Sequence, residues 1–199
     1  GRNGAGDGGN RADLLHGMGK AMKLIHFVEI ENFKTFGEKI RIELGETSVL
    51  IGPNNSGKTS AVQALALWSR GVKDWYERKG QGRSKEPLER FSAGINRLNI
   101  MEVPVSENRF YWNDTKVRKG TENIMITINV GVALGTEVRN CRMIFTYRDS
   151  EVLYCKPCPE TRKDEALLSH AAGLQFSLLY PMSGILSSVS ADTEETPLP

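Results

Sequence analysis

Gly52-Pro53-Asn54-Asn55-Ser56-Gly57-Lys58-Thr59 decides how this chain is read. It fits G-x-x-x-x-G-K-[ST], the pattern of loops that cradle phosphates. Ahead of it, Ser48-Val49-Leu50-Ile51 is an apolar run of buried-strand type. Behind it, Ala61, Ala64, Leu65 and Trp68 recur at helical spacing and form one apolar stripe. Strand, glycine loop and helix are the context the pattern requires.

Each residue type has a physical task. Gly52 and Gly57 open backbone angles closed to other residues and let the chain approach a phosphate closely. The residues between them, Pro53, Asn54, Asn55 and Ser56, turn successive N–H groups inward as an anion nest. A helix beginning near Lys58 adds unpaired N–H groups and the positive end of its dipole. The Lys58 ammonium reaches the β- and γ-phosphates and is the candidate catalytic group. The Thr59 hydroxyl is the candidate Mg²⁺ ligand, and Ser60 completes the set expected to touch nucleotide. The cofactors implied are ATP and Mg²⁺.

The 199 residues suffice for one domain or a large lobe. Apolar residues at 39% and charged residues at 25% are ordinary for a globular protein, and a net charge of +2 names no partner. No apolar run reaches about 18 residues, so no membrane-spanning helix is expected, and a cytoplasmic protein is inferred. The three cysteines, Cys141, Cys155 and Cys158, give no disulfide framework. Cys155-Lys156-Pro157-Cys158 supplies two metal ligands where a structural zinc site needs four, so chance spacing in a hairpin is favoured.

Residues 1–21 hold seven glycines and read as a disordered leader, with Met22 a plausible natural start. Met22–Ile30 reads as a strand, Asn32–Gly37 as a turn and Lys39–Leu44, which alternates strictly, as a half-buried strand. Gly45-Glu46 turns the chain into a further strand, Thr47–Ile51. Two strands thus precede the phosphate loop, unlike the usual order of a simple kinase or GTPase.

Between Arg70 and Lys119 stand twelve basic and seven acidic side chains, a local excess of five, interleaved with Trp75, Tyr76, Phe91, Phe110, Tyr111 and Trp112. Basic plus aromatic residues fit a nucleic-acid surface; a solvated insertion anchored by its aromatics fits slightly better. Arg78, Lys79, Arg83 and Lys85 are the residues expected to meet a DNA backbone. Glu122–Leu134, Glu137–Arg148 and Val152–Cys155 read as strands, Thr161–Ala172 as a helix ending at Gly173, and Leu174–Tyr180 as a last strand.

The run from Ile30 to Leu65, with Asn32-Phe33-Lys34-Thr35-Phe36 ahead of the loop, resembles the N-terminal lobe of the SMC/RecF-like ATPases. These are ABC-type, AAA-family enzymes of DNA repair, chromosome maintenance and phage defence. The similarity is strongest over 22–68. It implies an α/β P-loop NTPase of ABC-ATPase head type, first lobe only, over residues 22–199. A mixed sheet with an antiparallel part and a basic insertion at 70–119 are expected. It further implies ATP sandwiched between two heads of a homodimer, hydrolysis that moves them about DNA, and Lys34 as a nucleotide contact. Three parts that such an ATPase needs are missing from the sequence: the acidic pair, the serine-glycine-glycine signature and a recognisable glutamine loop. Truncation before the catalytic half is therefore expected, with the chain alone inactive. The alternatives are an ABC transporter's nucleotide subunit, a P-loop kinase or GTPase, and a nucleotide-binding module that never hydrolyses. A nuclease domain, as in overcoming-lysogenization-defect proteins, is neither implied nor excluded.

Overall fold

The computed structural model describes residues 23–79, 87 and 89–179. Strand β1, Ile25–Glu31, carries alternating apolar residues, and Val28 and Ile30 point into the core. A tight turn follows, and β2, Ile40–Glu43, returns antiparallel to β1 in the register Val28↔Ile42. Helix α1 runs Lys58–Lys79, and β3 is Ala93–Asn96. After three short 3₁₀ turns comes a small hairpin, β4 (Arg118–Lys119) with β5 (Glu122–Asn123). Strands β6 (Ile126–Leu134), β7 (Glu137–Tyr147) and β8 (Val152–Pro157) form a meander, and helices α2 (Pro159–Arg162) and α3 (Glu165–Gly173) follow.

Six strands form one sheet in the order β2-β1-β6-β7-β8-β3. Its core face is set by period-two alternation: Ile126, Ile128, Val130 and Val132 of β6, and Cys141, Met143 and Phe145 of β7, are all buried. Helix α1 lies across this face. Trp68 and Trp75 are buried on it, contributing on the order of 5 kcal/mol each before conformational entropy is charged. The Trp68 indole N–H donates to the Cys141 carbonyl at 2.8 Å, so burial leaves it satisfied. Gly71 lets helix and sheet approach, because a Cβ there would stand 2.8 Å from the Phe145 ring.

Several expectations change. The sheet is not mixed: every pairing among the described residues is antiparallel. Ser48–Ile51 forms no strand, and Val49 and Ile51 are 75% and 90% exposed. Leu174–Leu179 is likewise irregular, and Tyr180 lies outside the described residues. An apolar run suits a strand, but a strand exists only where a neighbour takes its N–H and C=O groups, and neither segment has one among the described residues. Leu50, Leu178 and Leu179 instead line one apolar pocket of about 400 Å³ with Val28, Ile42 and Leu65.

The expected helix over 161–172 is two, because Asp164 breaks it and caps α3 by accepting from the Leu167 N–H at 3.0 Å. The first ten residues of the 70–119 segment continue α1. There Asp74 is buried and paired with Arg70 and Arg78 one turn to either side, which satisfies helix charges inward. The leader at 1–21, Met22, Arg83 and Lys85 lie outside the described residues.

Candidate functional site

The loop Gly52–Gly57 is irregular and exposed until Gly57, which is buried. Asn55 at φ 65° and Gly57 at φ 90° turn the chain left-handed, and the first helical hydrogen bond runs from the Ala61 N–H to the Gly57 carbonyl at 2.8 Å. The N–H groups of the helix start are thus free of intrahelical partners, as at any helix N-terminus. No acidic residue occupies the first turn of α1 to compete for the site. An open pocket of about 380 Å³ is lined by Thr35, Asn54, Asn55, Gly57, Lys58, Thr59 and Ser60.

The Lys58 ammonium folds across the loop and donates to the carbonyls of Gly52 (2.7 Å) and Pro53 (2.5 Å) and to Ser56 Oγ (3.3 Å). Gly52 must be small here, since a Cβ would meet Ser56 Oγ at 2.9 Å. The Thr59 hydroxyl belongs to the exposed rim of the pocket. Ser60 is nearly buried, and its hydroxyl is hydrogen-bonded to that of Thr35 at 3.0 Å.

The turn 32–37 docks on this helix start. Phe33 and Phe36 close it by mutual backbone hydrogen bonds of 2.8 Å, and Asn32 (φ 57°) and Lys34 (φ 48°) are both left-handed. The Phe36 ring packs against Gly57, and Thr35 reaches the pocket. Lys34 does not line the pocket. Its ammonium donates to Gln63 Oε1 at 2.7 Å, on the second turn of α1, and burial pulls its pKa below the usual lysine value.

The structure therefore gathers Asn54, Asn55, Gly57, Lys58, Thr59 and Ser60 around one pocket; Gly52, Pro53 and Ser56 do not line it and instead hold the Lys58 ammonium. Thr35 and Gln63 were missed at the sequence level. Thr35 sits inside the quoted 32–36 segment and was readable as a hydroxyl beside Lys34; Gln63 carries no sequence signal. The two cysteines of the C-x-x-C pair are both buried. Cys155 donates to the Gly71 carbonyl and Cys158 shares a hydrogen bond with Thr161 Oγ1. Among the described residues no group of three His, Cys, Asp or Glu side chains could hold a metal ion.

The residues fit a bound polyphosphate with Mg²⁺. A left-handed glycine loop before a helix with an unopposed N-terminus is an anion cradle, and an ammonium and a threonine hydroxyl stand at its rim. A loop and helix of this form, packed on a sheet, define a P-loop nucleotide-binding protein. The model of the AAA ATPase domain matches residues 22–130, and the chain belongs to that family. That match takes in the 32–37 turn, the loop, α1 and the strands through the middle of β6; β7 and β8 continue the same sheet beyond it, and the last two helices follow. No curated protein matches the chain. No helix among the described residues is long and apolar enough to cross a membrane.

Proposed function

We propose that this chain binds ATP with Mg²⁺ on Gly52–Thr59 and serves as the first lobe of an SMC/RecF-like ATPase head. The observation that carries the reading is the docked turn: two strands precede the loop, and the segment between them, Asn32–Gly37, lies against the helix start and lends Thr35 to the phosphate pocket. In this reading two copies face each other across ATP, and their opening and closing acts on DNA in repair, chromosome maintenance or phage defence, in the cytoplasm.

The parts assign themselves by chemistry. The loop N–H groups and the α1 N-terminus hold the phosphates. Lys58, now spanning two loop carbonyls, transfers some of its donors to the β- and γ-oxygens and so links binding to loop closure. Mg²⁺, when bound, neutralises the charge of the phosphate oxygens, and Thr59 is the residue that would hold it. Phe36 shields the loop from one side. The sequence contains no acidic pair to position an attacking water, so binding by this chain alone is expected to exceed turnover by a wide margin.

Calorimetry tests the reading. Lys58→Ala should weaken ATP by tenfold or more, and Thr59→Val should weaken it with Mg²⁺ but hardly with EDTA. Unchanged affinity in Lys58→Ala would reject it. Steady ATP turnover by this chain that Lys58→Ala abolishes would reject the expectation that binding exceeds turnover.

A further inference from the structure

A segment starting at Asn113, 81 residues downstream of Asn32, holds the docked turn in place. Asn113 opens the last of the 3₁₀ turns, Asn113–Thr115. Its backbone N–H donates to the Asn32 carbonyl at 3.1 Å, and its side-chain amide donates to the Lys34 carbonyl at 2.7 Å. The Lys34 N–H donates in turn to the Tyr111 carbonyl at 2.9 Å, and Phe33 bridges Trp112. Gly37 makes room for the amide, because a Cβ there would stand 2.8 Å from Asn113 Oδ1. The clamp is itself anchored: Tyr111 is buried with its hydroxyl on the Val103 carbonyl, and the Trp112 indole N–H donates to the Ile124 carbonyl at 2.6 Å.

This bracing has a reason. Lys34 is left-handed, a conformation that costs a non-glycine residue on the order of 1 kcal/mol or more and persists only where the surroundings over-determine it. The strain holds the Lys34 side chain along α1, where its ammonium meets a neutral amide oxygen. Among the described residues no carboxylate reaches that ammonium, and an ammonium carries three donors. A half-buried cation with a neutral partner, one helical turn beyond a phosphate cradle, keeps donors open to an anion.

We propose that Asn113 is a positioning residue for the nucleotide site: by fixing the Lys34 turn it sets the part of polyphosphate affinity that Lys34 supplies. The inference rests on the reading of the loop as an ATP site. It gives the 108–115 segment a role in nucleotide binding that its own side chains do not touch.

A double-mutant cycle tests it. ATP·Mg²⁺ affinity is measured by calorimetry for this chain as wild type, Asn113→Ala, Lys34→Ala and the double variant, with Lys58→Ala as control. Asn113→Ala should lose roughly three- to tenfold, the worth of one hydrogen bond. In the Lys34→Ala background it should lose nothing further, because there is no ammonium left to place. Gly37→Ala disturbs the same contact from the other side with residue 113 left as asparagine and should behave alike, which keeps the test open if Asn113→Ala unfolds. An equal loss in both backgrounds would mark the clamp as merely structural, and no loss in either would remove it; each outcome overturns the inference while leaving the ATP site intact. If Lys58→Ala binds as wild type does, the site reading fails and the inference falls with it.

Discussion

The Phe36 ring occupies the space into which a side chain at Gly57 would project: a Cβ there would lie 2.7 Å from the ring's ζ carbon. The phosphate loop and the turn before it are therefore a single packed unit. Gly57 is required twice over, by its φ of 90° and by this contact.

Gly57→Ala should weaken ATP by at least tenfold, since the strain must be relieved by moving the loop, the ring or both. Adding Phe36→Ala should restore only the steric part, because the left-handed backbone still opposes alanine. Calorimetry on the single and double variants separates the two terms. Wild-type affinity in Gly57→Ala would show that the loop geometry does not matter to binding.

How much of this was legible in the sequence follows from the range of each interaction. The loop, its helix and the β1–β2 pair are local: spacing of glycine, lysine and apolar residues specifies them, and the structure has them where the pattern puts them. Ser48–Ile51 reads as a strand because Val49, Leu50 and Ile51 are apolar, yet pairing depends on a neighbour that composition does not reveal. The Asn113–Lys34 hydrogen bond joins residues 79 apart and leaves no periodic trace. Arg78 and Lys79 counted toward a basic surface in the sequence. In the structure Arg78 pairs with Asp74 and donates to the Gly94 carbonyl, and Lys79 pairs with Glu165. A charge count cannot see that such cations are used internally.

Gly71 offers a stability test of the helix–sheet crossing. In an exposed helix, glycine to alanine gains up to about 1 kcal/mol. Here the added methyl meets the Phe145 ring at 2.8 Å, and overpacking costs about 1–3 kcal/mol. Gly71→Ala should therefore be destabilising, by roughly 1–2 kcal/mol in denaturant unfolding, and the cost should shrink in a Phe145→Leu background. A stabilised Gly71→Ala would mean that the helix does not press on the sheet at this point.

Alkaline pH should loosen the core. Burial pushes the Cys141 thiol up to about 12 from 9.0, against the opposing effect of the Trp68 hydrogen bond, and burial raises Cys155 and Tyr111 as well. A folded-state value above the unfolded one means that the native state holds its proton longer. The contribution of the Cys141 thiol is complete below about pH 9 and is lost as pH rises toward 12. Denaturant midpoints between pH 7.5 and 10.5 should fall for the wild type and fall less steeply for Cys141→Ala, even though that variant starts lower. Parallel curves would show that the thiol is not withheld from solvent.

DNA contact, if it belongs to this chain, has to use cations that are not already spent. Arg78 and Lys79 are held within the lobe, and Arg83 and Lys85 lie outside the described residues. The hairpin of β4 and β5 differs: Arg118 and Lys119 are exposed and have no side-chain partner among the described residues. Its base is tied through Ile124 and Met125 to Trp112 and Asn32, next to the Lys34 turn. Each duplex phosphate neutralised contributes about 0.9 to the slope of log affinity against log salt. Arg118→Ala/Lys119→Ala should therefore lower affinity for a random-sequence duplex and flatten that slope by up to about 2, evenly across sequences. Arg78→Ala/Lys79→Ala should instead lower the unfolding midpoint and leave the slope alone, since it breaks the pairs to Asp74 and Glu165. Duplex titrations at several salt concentrations, run beside unfolding curves, distinguish the two. A slope that the hairpin variant leaves unchanged, or no duplex binding at low salt, would show these charges to be a solvated face.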